Sequence, residues 1–262
     1  MLKKEFKRNL KALLIWSFAF ALLLGGTVLL YPYIMGDAVG EMDKLLSTMP
    51  KEMLEIFNMD KISLEKASGW LLSEGYMMIT LIGSIYTAML GANILLKEEE
   101  NKTIFFLATK PVSKSKILIS KVIVGIICIL IFNLIISDTL FITLYLTDDL
   151  VIKEWALMLV GALFIHLFMF SVAFLISVFV RKNNVSLGAS IGFVFITYVL
   201  SIIGNLSDKT EFIKYLSPFY YVDGATIITD GNLNIINLCI LFIISIILII
   251  ISNYKYKKKE LF

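Results

Sequence analysis

The sequence predicts an all-α integral membrane protein with six transmembrane helices, an N-terminal interfacial amphipathic helix and both termini cytoplasmic. Three observations predict it. Of 262 residues, 58% are hydrophobic and the mean hydropathy is +0.86, above the roughly 45–50% apolar share of globular chains. Six apolar runs are long enough to cross a hydrocarbon core of about 30 Å, which takes about 20 helical residues. The 24 Lys and Arg also fall so unevenly between alternate connections that one orientation is favoured. Even the longest polar stretch, Tyr31 to Glu74, falls short of the roughly 50 residues that a small soluble domain needs. The whole chain, 1–262, therefore reads as one transmembrane domain, multi-pass in the cell membrane.

Residues 1–11 place Leu2, Phe6 and Leu10 at helical spacing, with Lys3, Lys4, Lys7, Arg8 and Lys11 filling the other side. That pattern suits a helix lying at the membrane surface against anionic headgroups. The first span, Ala12–Leu30, follows directly and is longer than the apolar stretch of a cleaved leader, with no Ala-x-Ala site after it, so it is expected to be retained. The other spans are Gly75–Leu96, Val122–Leu146, Trp155–Val180, Val185–Ile203 and Leu233–Ser252. Tyr31, Tyr33, Trp70, Trp155, Tyr220 and Tyr221 stand where an outer aromatic belt belongs.

The N-terminus, the loop at residues 97–121, Arg181 and Lys182, and the C-terminal Lys255, Lys257, Lys258 and Lys259 together hold seventeen of the basic residues but only five acids. The outer segments, residues 31–74, the turn near Asp148 and residues 204–232, hold the other seven basic residues and fifteen acids. Basic residues are retained on the cytoplasmic side, which fixes the expected topology. Arg181-Lys182-Asn183-Asn184 is short enough to demand a tight antiparallel hairpin. Within residues 31–74, Pro50 stands in the first turn of a helix expected from Met49 to Phe57.

Polar groups inside spans are the candidates for an intramembrane site. Asp138 is the lone acid in an apolar run, Asn133 lies five residues before it, and His166 is the only histidine. Such groups mark either a proton or cation pathway or interhelical hydrogen bonds; Asp138, near the outer end of its span, is expected to be structural. Gly188 and Gly192 form a small-xxx-small face suited to close helix packing, within the chain or against another subunit. Cys128 and Cys239 sit in apolar runs and read as packing residues. No Cys/His spacing resembles a metal site.

The loop at residues 97–121 is the most informative. It runs Glu98-Glu99-Glu100-Asn101-Lys102-Thr103-Ile104-Phe105-Phe106-Leu107-Ala108-Thr109-Lys110-Pro111-Val112-Ser113-Lys114. A water-facing loop exposes Ile104, Phe105, Phe106 and Leu107 together only if they bury against something. Thr103 can cap a short helix there, and Pro111 disfavours continuation past Lys110. The result is about two helical turns with an apolar face, suited to a groove on a partner protein.

This stretch resembles the cytoplasmic loop of ABC-2-type transporter permeases: acids, Gly-Thr, a Leu-rich short helix, Pro-x-Ser-Arg and a Lys at the start of the next span. Glu98, Glu99, Glu100, Thr103, Phe106, Leu107, Pro111, Ser113 and Lys121 match it, while Lys102 replaces the usual Gly and Lys114 the usual Arg. Tyr215 to Gly224 resembles the segment before that family's last span. The resemblance implies a permease subunit of an exporter that pairs with a second permease, identical or homologous, and with an ATP-binding cassette subunit holding ATP and Mg. It implies contact with that ATPase through Glu100, Thr103, Ile104, Phe105, Phe106, Leu107 and Pro111, and neither a cofactor nor nucleic acid in this chain. The sequence contains no Gly-x-x-x-x-Gly-Lys-Ser/Thr phosphate loop. The competing readings are a membrane sensor or immunity protein, and an intramembrane enzyme, which one His and the absence of paired intramembrane acids disfavour.

Overall fold

The computed structural model describes residues 2–35, 48–50, 54, 66–100, 113–206, 210–229 and 231–259. Its long helices are α1 (Leu2–Met35), α2 (Tyr76–Glu100), α3 (Lys114–Leu146), α4 (Ile152–Phe179), α5 (Asn183–Asn205) and α6 (Ile235–Lys258). Six segments are long and apolar enough to cross a membrane, and the described residues contain no strand. All six expected spans fall on these helices.

The helices outrun the apolar runs because polar residues cap and extend them. Ser113 accepts the Lys116 N–H and starts α3 eight residues before the expected Val122, while Asn234 accepts the Ile236 N–H and starts α6. α3 ends where Asp148 adopts a left-handed conformation, φ 56°, and the Asp149 N–H returns to the Leu144 carbonyl at 3.0 Å. The Asp149 carboxylate then accepts from the Ala67 N–H at 3.0 Å, tying this turn to the start of the second span. That start differs from expectation. Apolar Ala67, Leu71 and Leu72 are buried, so the helix Ala67–Trp70 and the π-helical Leu71–Gly75 lead into α2 without a break. Most of the expected Met49 to Phe57 helix lies outside the described residues; Leu54 donates to the Pro50 carbonyl at 3.3 Å, a helical bond.

Residues 2–11 run without a break into the first span as the opening turns of α1; Glu5, Asn9 and Leu13 are buried there, Phe6 and Leu10 pack half-buried against the core, and Leu2 is exposed. At 1.5 Å per residue, α1 and α3 each reach about 50 Å, far more than the hydrocarbon thickness. Their overhanging ends pack together, and polar pairing supplies the contact there.

α2 is the central helix, packed on α4 and α5 and touching α1 and α3; α1 lies along α3, and α6 along α4 and α3. The α4–α5 hairpin turns through Val180, Arg181 and Lys182 alone. The α2–α4 seam depends on small residues. A Cβ on Gly91 would stand 2.5 Å from the Phe170 carbonyl oxygen and 3.0 Å from the Phe174 nitrogen. Ala88, Ala92, Ser84 and Thr87 are buried along the same helix. At the acidic end, Glu211–Lys214, Tyr220–Val222 and Gly224–Thr229 fold back over the bundle, burying Ser217, Phe219 and Val222. Tyr221 donates to the Tyr215 carbonyl at 3.0 Å, and Phe219 meets Tyr198 edge-on with ring centroids 5.5 Å apart.

Candidate functional site

At the basic end, the overhang of α3 carries Lys121, whose side chain is fully buried. Its ammonium donates to the Ile94 carbonyl of α2 at 2.8 Å and to Glu5 Oε2 of α1 at 3.4 Å. Arg8 reaches the other Glu5 oxygen at 3.5 Å, and the neighbouring Asn9 amide donates to the Glu5 carbonyl at 2.9 Å. A buried ammonium without partners is costly, so these acceptors fix where Lys121 stands. Three helices thus meet at one charge. Two of them, α2 and α3, bracket the loop read as the partner contact. Sequence reasoning matches Lys121 to a family pattern but does not foresee its ion pair with Glu5, because a contact across 116 residues leaves no local signal.

The second polar site lies midway along the bundle. His166 of α4 is fully buried, with Nδ1 3.0 Å from Asn133 Oδ1 and Nε2 3.1 Å from the Ile79 carbonyl. Gly83 lies directly against Nε2, so any larger residue there would displace the ring. Phe132 packs edge-on against the imidazole. A neutral imidazole has one N–H. The Asn133 amide nitrogen donates to the Ile129 carbonyl at 2.8 Å, which turns Oδ1 toward Nδ1, and the tautomer decides whether the one ring N–H donates to Asn133 Oδ1 or to the Ile79 carbonyl. The geometry stitches α2, α3 and α4 together. Beside it a cavity of about 20 Å³, lined by Asn133, Ser137, Trp155 and Met158, has room for about one water.

The structure brings Asn133 and His166 together and leaves Asp138 apart. Asp138 is exposed on α3 and makes no hydrogen bond or ion pair among the described residues. Gly188 and Gly192 also face outward: nothing lies within 4 Å of a Cβ built on either, and α5 instead buries Ser186, Ser190, Val194 and Thr197. Glu100 ends α2. Thr103, Ile104, Phe105, Phe106, Leu107 and Pro111 lie outside the described residues.

A third feature is not foreseen from the sequence. At the acidic end a cleft of about 80 Å³ opens between α2, α5 and the segment before α6, with Glu74, Asn205 and Asp223 in its wall. The π-helical turn sets Glu74 there, and widened turns of this kind recur at functional sites. Glu74 has no ion pair among the described residues.

The Asn133–His166 pair gives a direct expectation. Asn133→Leu should lower stability by about 1–2 kcal/mol, and His166→Phe by a similar amount. If the two side chains bond to each other, the double variant should lose less than the sum of the single losses in a detergent unfolding titration. Strict additivity would mean that the pair does not interact.

A family model described as ABC-2 family transporter protein matches residues 1–261. No curated protein matches the chain.

Proposed function

We propose an ATP-driven exporter, starting from what the match over residues 1–261 establishes: the chain belongs to the ABC-2 family of transporter proteins. It is the membrane-spanning permease component, a multi-pass bundle of apolar helices. In the proposed assembly ATP and Mg are held by a separate ATP-binding cassette subunit, which docks from the cytoplasm at the basic end of the bundle. Its contact is the loop at residues 97–121, through Glu100, Thr103, Ile104, Phe105, Phe106, Leu107 and Pro111. A second permease, identical or homologous, lies against this one, and the open stripe of Gly188 and Gly192 offers a surface on which helices can approach closely.

The observation that supports this reading best is the node at Lys121. A force applied to the loop acts on the ends of α2 and α3, and Lys121 links both to α1 through Glu5 and Ile94. Movement of the docked subunit would therefore act on three helices together. Such a link supports coupling between the loop and the bundle, which a passive membrane sensor does not need.

The test is direct. Replacing Phe105 and Phe106 by Asp would place carboxylates in an apolar groove, at a cost of several kcal/mol. The double variant should fold normally but lose the co-purifying ATPase and ATP-dependent transport. Retention of both would show that the subunit docks elsewhere.

A further inference from the structure

We propose that the groove between α3, α4 and α6 binds an anionic phospholipid, one acyl chain in the groove and the headgroup at the basic end of the same three helices. The groove encloses about 280 Å³ and opens on the outer surface of the bundle. Val122 and Ile126 of α3, Phe170 of α4, and Phe242, Ile246 and Ile250 of α6 form its walls. The two hydroxyls in the wall ask nothing of a ligand, since Ser171 donates to the Leu167 carbonyl and Ser245 to that of Leu241. An opening of this kind within membrane-spanning helices selects hydrocarbon, because a polar occupant would forfeit its hydrogen bonds there.

The headgroup assignment rests on charge. On α6 the line Phe242, Ile246, Ile250 continues at helical spacing through Asn253 to the exposed Lys257. Ile250 and Lys257 are about 10 Å apart along the axis at 1.5 Å per residue, within the span of one lipid from upper acyl chain to phosphate. Lys114, at the start of α3, donates to the Lys257 and Lys259 carbonyls at 3.4 and 2.7 Å, and Lys259 donates to the Val180 carbonyl beyond α4 at 3.4 Å. Lys255 lies over the Phe179 ring of α4, 5.6 Å from its centroid. All three walls of the groove therefore end in one basic cluster. The only acids on these helices, Asp138 and Glu154, stand nearer the opposite end, so nothing on them offsets that charge. Basic clusters immediately beyond a span attract anionic lipid, and here the apolar slot continues from the cluster. The inference does not depend on the transport reading.

The experiment is native mass spectrometry of the full-length protein, delipidated in detergent and titrated with phosphatidylglycerol or phosphatidylcholine. The intact protein should retain phosphatidylglycerol at about tenfold lower concentration than phosphatidylcholine. Lys114→Gln/Lys257→Gln, which leaves the packed interior of the bundle unchanged, should remove that preference, whereas Lys3→Gln/Lys4→Gln on α1 should keep it. Ser245→Phe fills the slot and should remove retained lipid of both kinds; Ile246→Trp serves the same purpose if Ser245→Phe does not run as a monodisperse species. Equal retention of the two lipids, or a preference that survives both the Lys114/Lys257 and the groove-filling changes, would overturn the proposal. So would a groove-filling variant that converts a dimer to a monomer without altering lipid retention, since a second copy would then be the occupant.

Discussion

Lys121→Met should be among the most damaging single changes in the chain, destabilising the bundle by about 3–5 kcal/mol, the usual cost of removing one partner from a buried ion pair. The substitution keeps the length of the side chain and deletes its charge. Glu5, itself almost fully buried, would lose the ammonium at 3.4 Å while keeping Arg8 at 3.5 Å, and the Ile94 carbonyl would lose the ammonium as a donor. Because much of the loss comes from a buried carboxylate whose charge is less well compensated rather than from a large intrinsic worth of the pair, Glu5→Gln/Lys121→Met should recover part of it. Unfolding midpoints for the two single variants and the double variant, measured in one detergent, check this. A double variant no more stable than Lys121→Met alone would mean that Glu5 is not the partner that matters.

The same variants separate folding from coupling. If the node carries motion from the loop into α1, the Glu5→Gln/Lys121→Met protein should still assemble with the proposed ATPase subunit while transporting less per ATP hydrolysed. A normal ratio in reconstituted vesicles would assign Lys121 a purely structural part.

What the sequence makes legible follows from which interactions are local. The six spans are continuous apolar runs, so hydropathy alone locates α1 to α6, and only their ends move, where Ser113, Asn234 and Asp148 determine start and stop. The acidic–basic asymmetry is equally plain. Pairings between helices are not. Asn133 and His166 both stand out in the sequence, yet their separation of 33 residues gives no sign that they meet, and Asp138 groups with them there although it faces away in the fold. At the N-terminal turns the row of Lys and Arg is plain in the sequence, whereas the burial of Glu5 on the other side depends on a lysine far along the chain.

Small residues mislead in a different manner. Gly188 and Gly192 stand four apart, but so do Gly83, Thr87 and Gly91, and Ser84, Ala88 and Ala92. Such spacing says that a helix can be approached closely and is silent about what approaches it. The structure places α4 against the second set and leaves the first uncovered.

Gly91→Val should therefore disrupt the bundle, whereas Gly188→Val and Gly192→Val should leave the folded chain intact. At position 91 the obstacles are the Phe170 carbonyl oxygen and the Phe174 nitrogen, 2.5 and 3.0 Å from the new Cβ, with the methyl of Ala173 at 3.1 Å. Main-chain atoms of α4 cannot rotate aside as a side chain can, so α2 and α4 must part along a seam that also holds Ala88, Ala92 and the His166 site. Overpacking of this kind costs typically about 1–3 kcal/mol for added methylenes and more where backbone must move. At 188 and 192 a side chain meets open space, so the expected change in chain stability is within about 0.5 kcal/mol. Fluorescence-detected size exclusion and an unfolding titration on all three variants decide it. Equal stability of Gly91→Val and Gly188→Val would show that α2 and α4 do not pack as described. If Gly188→Val and Gly192→Val keep the monomer's stability but abolish pairing of permeases, the open stripe of α5 is the surface on which the second permease sits.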